Sequence, residues 1–280
     1  MNNSRKLRRI SSVMMAVFPL LSLLAAAQEK KAITYTVGRK AIISITNNYG
    51  PITVKPSGNR QVVVATVLRS DAVSFVHEQH GNRIELRSIS SRQGSGLVDY
   101  TVLVPADAFV SLRSSDGTVR AQGLCGDVVL EALTGSVEAT DISHAHLHVK
   151  TLSGPISLTG IHNSQLDVRS VSGDVSVHDV TGSSADVNSG SGRITYEGDP
   201  GSAGEYLLTS RSGDLEVSIP ASALVEIRSH SMNGETDQDF PKSDGASAMD
   251  QGNLLVKPGL AGTSRFVLRS FRGRIHLKRP

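Results

Sequence analysis

Three histidines alternate with apolar residues in the segment His144-Ala-His146-Leu-His148. On an extended strand alternate residues share a face, so this spacing predicts three imidazoles on one side of a strand. Imidazole nitrogens bind zinc, nickel and copper ions. Residues two apart on a strand lie about 7 Å from each other, too far for three rings to bind one ion without distortion. We predict an exposed polar binding face, with metal binding as the alternative, and we assign no metal and no cofactor.

Acidic residues continue this face at a fixed interval. His148, Asp167 and Asp186 are separated by 19 residues each, and each stands six residues before a glycine. If successive repeats stack in register, two carboxylates on adjacent repeats could act as acid and base on a sugar, because glycosidases use carboxyl groups about 5 to 9.5 Å apart. Arg169, two residues after Asp167, could instead neutralise them. We therefore predict that these residues bind a ligand and do not catalyse a reaction.

Basic residues crowd the end of the chain, where the last sixteen residues contain no acid. This spacing is typical of a solvated terminal surface, and the alternative is contact with an anionic surface such as lipid headgroups or acidic polysaccharide. The residues of this basic surface are Arg265, Arg269, Arg272, Arg274, Lys278 and Arg279.

Motifs of the common enzyme classes are missing from the sequence. It contains no phosphate-binding Gly-rich loop before a helix, no calcium nonapeptide, no Gly-x-Ser-x-Gly and no His-Glu-x-x-His. There is no tryptophan, and aromatic residues make up 4% of the chain. A sugar-binding role would thus depend on polar contacts instead of stacked aromatic rings.

A short repeat positions all of these residues. Glycines at 117, 135, 154, 173, 192 and 213 are 18 to 21 residues apart, and each precedes an alternating apolar pair; all but Gly117, which follows Asp116, come directly after a Ser or Thr. A fixed period of this size indicates stacked supersecondary units. Two aliphatic columns accompany the glycines, one five residues before and one two residues after, and they extend to Gly50 and Gly273. We predict an all-β fold, a β-solenoid or β-helix-like stack of about 19-residue rungs, with a glycine at each corner because such turns often need positive φ.

The repeat also suggests the organisation of the chain. We predict a β-rich section over 28–110, which carries one early rung at Gly50 and caps the stack. The repeat solenoid follows over 111–280, with an inserted polar loop at 235–252. Cys125, the only cysteine, excludes an internal disulfide. It is predicted to be a small buried filler, with an intermolecular disulfide as the alternative.

The first 27 residues have the features of a signal peptide. A basic start (Arg5 to Arg9) precedes an apolar stretch (Val13 to Leu24) and a small-residue cleavage site at Ala25-Ala26-Ala27. The apolar stretch is too short to span a membrane, and no later stretch is long enough. The chain carries a net charge of +3, and the signal peptide holds four cations and no acid, so the mature chain carries −1. This balance argues against nucleic-acid binding. We expect export to the periplasm, the cell surface or the medium.

The repeat, the signal peptide and the step Leu103-Val104-Pro105 together resemble a bacterial family, the exported "putative adhesin" domain of unknown function, similar to autotransporter-adhesin head domains. Ser172-Gly173-Asp174-Val175 and Ser212-Gly213-Asp214-Leu215 carry the resemblance best. The family implies a β-solenoid at the cell envelope and supplies no catalytic residues.

Three functional hypotheses remain from the sequence. The first is a non-enzymatic adhesin or binding scaffold, with polysaccharide or an envelope surface as partner. The second is a polysaccharide-active enzyme that uses Asp167 and Asp186. The third is a structural spacer of the envelope. We favour the binding scaffold.

Overall fold

The computed structural model describes residues 29–70, 72–90, 97–220, 222–239, 247–250, 253–256 and 262–278. The predicted signal peptide and Arg279 lie outside these residues. The described part contains 23 strands and no helix, and the prediction of an all-β protein is confirmed. Accordingly, no helix that could cross a membrane is found in the described part.

The strands join in one mixed sheet. In chain order they are β1 (Glu29–Thr36), β2 (Ile42–Tyr49), β3 (Ile52–Ser57), β4 (Gln61–Leu68), β5 (Val73–His80), β6 (Arg83–Ser90), β7 (Val98–Pro105), β8 (Phe109–Asp116), β9 (Val119–Gln122), β10 (Val128–Ala132), β11 (Val137–Ser143), β12 (His146–Thr151), β13 (Ile156–Ser170), β14 (Val175–Ser189), β15 (Ile194–Asp199), β16 (Glu205–Ser210), β17 (Leu215–Ser218), β18 (Val225–Ser231), β19 (Thr236–Gln238), β20 (Ser247–Asp250), β21 (Asn253–Val256), β22 (Ser264–Ser270) and β23 (Ile275–Lys278).

Each repeat forms one rung, which we define as the strand before a glycine and the strand after it. Strands before the glycines pair in parallel as a front layer, and strands after them pair in parallel as a back layer. The long strands β13 and β14 belong to both layers, since their second halves turn back into the front layer of the next rung. The aliphatic columns of both layers are buried in a single core, as in Val149, Val168 and Val187 of the front layer.

The glycine column is required by contact between rungs. A Cβ atom added at Gly173 would lie 2.0 Å from the carbonyl oxygen of Gly154, and one at Gly192 would lie 2.0 Å from that of Gly173. Gly50 has a φ of 104°, but the glycines at 135, 154, 173, 192, 213 and 273 do not have positive φ. The predicted reason for these glycines was therefore wrong at most corners. They are needed because the backbone of one rung lies directly against the next.

Hydroxyl groups stabilise the same corners. The buried Ser170 Oγ donates a hydrogen bond to the carbonyl of Gly173, over 2.7 Å, and so satisfies a backbone group within its own turn. The exposed Ser172 Oγ instead donates to the carbonyl of Leu152 on the neighbouring rung, over 3.1 Å. Both arrangements recur along the stack.

The spatial order of the rungs differs from their order in the chain. The rung of β22 and β23 lies between that of β16 and β17 and that of β18 and β19. Gly234 stacks on Gly273, so the described residues contain nine glycine rungs, one more than the repeat predicts. The prediction of a loop over 235–252 is wrong for Thr236–Gln238 and for Ser247–Asp250, which are strands.

Antiparallel strands lie beyond both ends of the stack. At the amino-terminal end β6 and β7 pair in parallel with β2 and β3, β5 follows β6, and β4 and β1 follow β7. At the other end β21 and β20 follow β18.

Cys125 is exposed, and its predicted role as a buried filler is wrong.

Candidate functional site

The predicted column of His148, Asp167 and Asp186 forms on the outer surface of the front layer. β12, β13 and β14 pair in register, so these three residues are direct partners on consecutive rungs. His148 Nδ1 lies 3.1 Å from Asp167 Oδ2. The 19-residue spacing therefore predicted the neighbours correctly, because the rungs around it have no insertion.

Arg169 connects the two aspartates. Its Nη1 and Nη2 donate to the two carboxylate oxygens of Asp186, over 3.0 and 2.8 Å, and its Nε lies 3.2 Å from Asp167 Oδ1. The hydrogen bonds to Asp186 raise the pKa of the Arg169 guanidinium above its ordinary value. Both oxygens of Asp186 are therefore engaged by an ion pair between neighbouring rungs.

His144 does not share this face. It lies before β12, in a turn, with a φ of 53°, and its backbone N–H donates to the carbonyl of His162. The prediction of three histidines on one strand face is thus wrong for His144, since β12 begins only at His146. His146 and His148 do alternate along β12 as predicted. No group of three or more His, Cys, Asp and Glu side chains in the described residues is placed to hold a metal ion.

A groove of about 530 Å³ crosses the front layer beside this column, and we call it the front groove. Asp167 and Asp186 line one side, and Arg265 and Arg269 of β22 line the other. His146, the first residue of β12, lies at one end of the front groove. The structure thus brings residues from the histidine, aspartate and basic candidates to one surface, although they are up to 123 positions apart.

Further polar and apolar groups of the front groove were not predicted from the sequence. Gln165, Ser184 and Glu205 occupy the same repeat position as His146, eight residues before their glycines. Leu207 and Val267 continue the column of Asp186 as an apolar floor. The repeat numbering contained this signal, because residues at one repeat position form one line across the stack.

The remaining basic candidates lie elsewhere. Arg274 projects from the corner before β23, with its Nη2 3.6 Å from Glu235 Oε2, and Lys278 contacts Glu216 on the back layer. The Arg272 guanidinium lies over the ring of Phe271, 5.7 Å from its centroid. The basic cluster of the sequence is therefore divided between the front layer, the corner and the back layer.

The stacked parallel rungs define an all-β protein whose described strands join in one mixed sheet. The profile of the Toastrack DUF4097 family matches residues 41–253, and the chain belongs to this family. The resemblance found in the sequence is thereby confirmed.

Solved structures from three bacteria are similar to the chain. One is described as a "putative cell adhesion protein" from Clostridium sporogenes, with 10% identity, a TM-score of 0.32 and coverage of 91% of this chain and 100% of that one. A "putative adhesin" from Bacteroides fragilis has 10% identity, a TM-score of 0.36 and coverage of 90% and 99%. A "putative adhesin" from Parabacteroides merdae has 8% identity, a TM-score of 0.40 and coverage of 89% and 96%. No match was found among curated proteins.

Proposed function

We propose that the protein is a non-enzymatic binding scaffold of the bacterial cell envelope, whose β-solenoid stack holds an extended polysaccharide along the front groove. The observation that carries this proposal is the groove itself. Its lining residues come from five consecutive rungs, from His146 on β12 to Arg265 on β22. At about 4.8 Å per rung, five rungs span roughly 19 Å, which suits a linear polymer better than a compact ligand.

The chemistry of the lining supports a sugar ligand. The Gln165 amide and the Ser184 hydroxyl can each donate and accept hydrogen bonds, and Glu205 accepts them. Leu207 and Val267 offer an apolar floor on which the carbon faces of sugar rings can pack. Each rung contributes one weak contact, and a polymer that engages several rungs at once gains affinity through avidity.

The contacts of Asp186 support binding without turnover. Arg169 occupies both carboxylate oxygens of Asp186, so this carboxylate is not free to contact the leaving-group oxygen of a sugar as a general acid must. The predicted signal peptide supports a location outside the cytoplasm, where polysaccharides of the envelope and of the surroundings are available.

Binding of the purified protein to an array of bacterial and environmental glycans tests this proposal, with products analysed by mass spectrometry. Ser184→Tyr places a ring in the front groove and is expected to lower glycan binding at least tenfold. Ser176→Tyr is the matched control, because it puts the same ring on the back-layer half of the same strand, β14. We expect this control to bind as the parent does.

Three outcomes would overturn the proposal. Equal loss of binding in Ser184→Tyr and Ser176→Tyr would show that the front groove is not the site. Cleavage of a glycan that disappears in the folded Asp167→Asn/Asp186→Asn variant would make the protein an enzyme. Absence of binding to every glycan would also contradict it.

A further inference from the structure

The corner between the layers carries an exposed basic and apolar surface at the outer rungs. We call it the outer corner and define it by Arg211, Met232, Phe271 and Arg272. Arg211 and Phe271 stand two residues before Gly213 and Gly273, and Met232 stands two residues before Gly234. Because these glycines stack on one another, the three side chains follow one line along the edge of the stack.

The cations of the outer corner are not neutralised. Within the described residues, neither Arg211 nor Arg272 has an ion-pair partner, and the nearby Arg269 of β22 has none either. The sequence places three arginines and no acidic residue on this side of the corner. This holds for the positions four, two and one residues before each of Gly192, Gly213, Gly273 and Gly234. Asp214 and Glu235 lie on the other side of the glycine column, and both already contact Arg274.

Two large apolar side chains accompany these cations. Phe271 is 42% exposed and Met232 is 64% exposed, although each lies next to a well-packed rung. The guanidinium of Arg272 lies over the Phe271 ring. The same repeat position on earlier rungs also holds exposed apolar residues, namely Leu133, Leu152 and Val171. The next residue on those rungs is uncharged (Thr134, Ser153 and Ser172), whereas Phe271 is followed by Arg272.

We infer that the outer corner docks on the surface of an anionic lipid bilayer. Arginines attract acidic headgroups by about 1 kcal/mol each near a charged membrane. The exposed Phe271 ring and Met232 side chain beside them can enter the boundary between headgroups and acyl chains. Acidic polysaccharide is a weaker fit, because the surface lies on the outer side of a turn, where a chain has no groove to follow, and because it would leave Phe271 and Met232 in water. The mature chain carries a predicted net charge of −1, so attraction must come from this local surface.

Co-sedimentation with vesicles tests the inference. The full-length protein is produced with export, so that the predicted signal peptide is processed as in the cell. It is mixed with vesicles of phosphatidylcholine, with or without phosphatidylglycerol. We expect binding only with phosphatidylglycerol, and binding that weakens as salt rises. Arg211→Gln/Arg272→Gln is expected to lower the partition coefficient roughly 30-fold, and Phe271→Ser to lower it also.

Matched control variants distinguish docking through the outer corner from nonspecific binding to vesicles. Arg87→Gln/Lys150→Gln removes the same charge from exposed residues of β6 and β12 that have no ion-pair partner in the described part of the chain. Leu152→Ser removes an apolar side chain from the same repeat position three rungs or more away, where it is 49% exposed. We expect both variants to bind vesicles as the parent does.

The inference fails if these controls lose as much binding as the outer-corner variants. It also fails if vesicles of phosphatidylcholine alone bind equally well, or if the protein binds soluble alginate through Arg211 and Arg272 but no vesicle. The Ser184→Tyr variant, which fills the front groove, should keep full vesicle binding. Failure of glycan binding and failure of membrane docking are therefore distinguishable.

Discussion

Arg169 donates from both terminal nitrogens to the two carboxylate oxygens of Asp186 on the neighbouring rung, over 3.0 and 2.8 Å. The same guanidinium approaches Asp167, which is the direct register partner of Asp186. One cation thus stands between two acids that the repeat forces together. Like charges directly opposite each other on neighbouring strands are destabilising, so this residue makes the acidic column compatible with the fold.

Replacement of Arg169 should reveal this repulsion. We expect Arg169→Ala to lower the free energy of unfolding by about 1 kcal/mol, a modest value because the side chains are part exposed. Added salt should recover much of the loss by screening the two aspartates. Urea unfolding at low and high salt measures both effects. The double variant Arg169→Ala/Asp186→Asn should be more stable than Arg169→Ala, and a loss that salt and Asp186→Asn both leave unchanged would contradict the interpretation.

The glycine column should tolerate no side chain. In Gly173→Ala the new methyl group would lie 2.0 Å from the carbonyl oxygen of Gly154, against backbone that cannot move without breaking the rung pairing. We expect a loss of about 3 kcal/mol or more in unfolding free energy, at the upper end of overpacking costs. Gly58→Ala is the control, because nothing lies within 4 Å of its Cβ position, and its stability should be unchanged. Equal stability of the two variants in thermal unfolding would refute the contact argument.

Tyr206 should make the protein sensitive to alkali. Burial, with a contribution from the charge of Asp199, raises the pKa of Tyr206 from 10.0 to about 12. The neutral phenol donates to the carbonyls of Gly182 and Pro200, over 2.6 and 3.1 Å. Since the pKa in the folded state is above that in the unfolded state, this contribution to stability is complete below pH 10 and is lost as pH rises towards 12.

Denaturant titrations between pH 8 and 11 measure this effect, with a limiting slope of about 1.4 kcal/mol per pH unit for one such group. Tyr206→Phe should be less stable at neutral pH, because it lacks the hydrogen bonds, but its stability should fall less steeply above pH 10. Tyr49→Phe, at the end of β2, serves as the control for removal of a phenol elsewhere in the fold. An unchanged slope in Tyr206→Phe would show that this phenol is not responsible.

Cys125 should be fully reactive in the native protein. Its side chain is exposed in the turn between β9 and β10. We expect one equivalent of a thiol reagent such as DTNB to react with the folded protein as completely as with the protein in denaturant. Cys125→Ser should leave the melting temperature unchanged, within about 1 °C of the parent, as surface substitutions usually do. A thiol that reacts only after unfolding would contradict the exposed position.

Much of the stack was accessible from the sequence because the constraint is periodic. Val149, Val168 and Val187 had to share a core line once the 19-residue interval was recognised, and the register of Asp167 with Asp186 followed from it. The reason for the glycines was not accessible in the same way. Positive φ and close backbone contact both select glycine, and only the distance between rungs distinguishes them.

Only half of the residues that line the front groove could be placed together from the sequence. His146, Asp167 and Asp186 lie on rungs that follow one another in the chain, so their neighbours could be inferred. Arg265 reaches the groove because its rung pairs with β16, whose residues lie 60 positions earlier. Repeat spacing cannot decide which of two rungs pairs with β16 and which lies outside it, because the rung of β18 and the rung of β22 carry the same corner glycine. The choice is consistent with burial, since Leu268 of β22 has an aliphatic side chain where β18 has Ser229, and the more apolar rung takes the inner place.

That displaced rung also sets an order of events during folding. The chain is synthesised amino end first, so residues 225–238 are made before the rung that must support them. They cannot reach their final neighbours until residues 264–278 have entered the space between them and β16. The stack is thus completed when the last rung inserts between two rungs that precede it in the chain. A molecule interrupted before this step exposes an unpaired edge on β16 that can accept a donor strand from another copy.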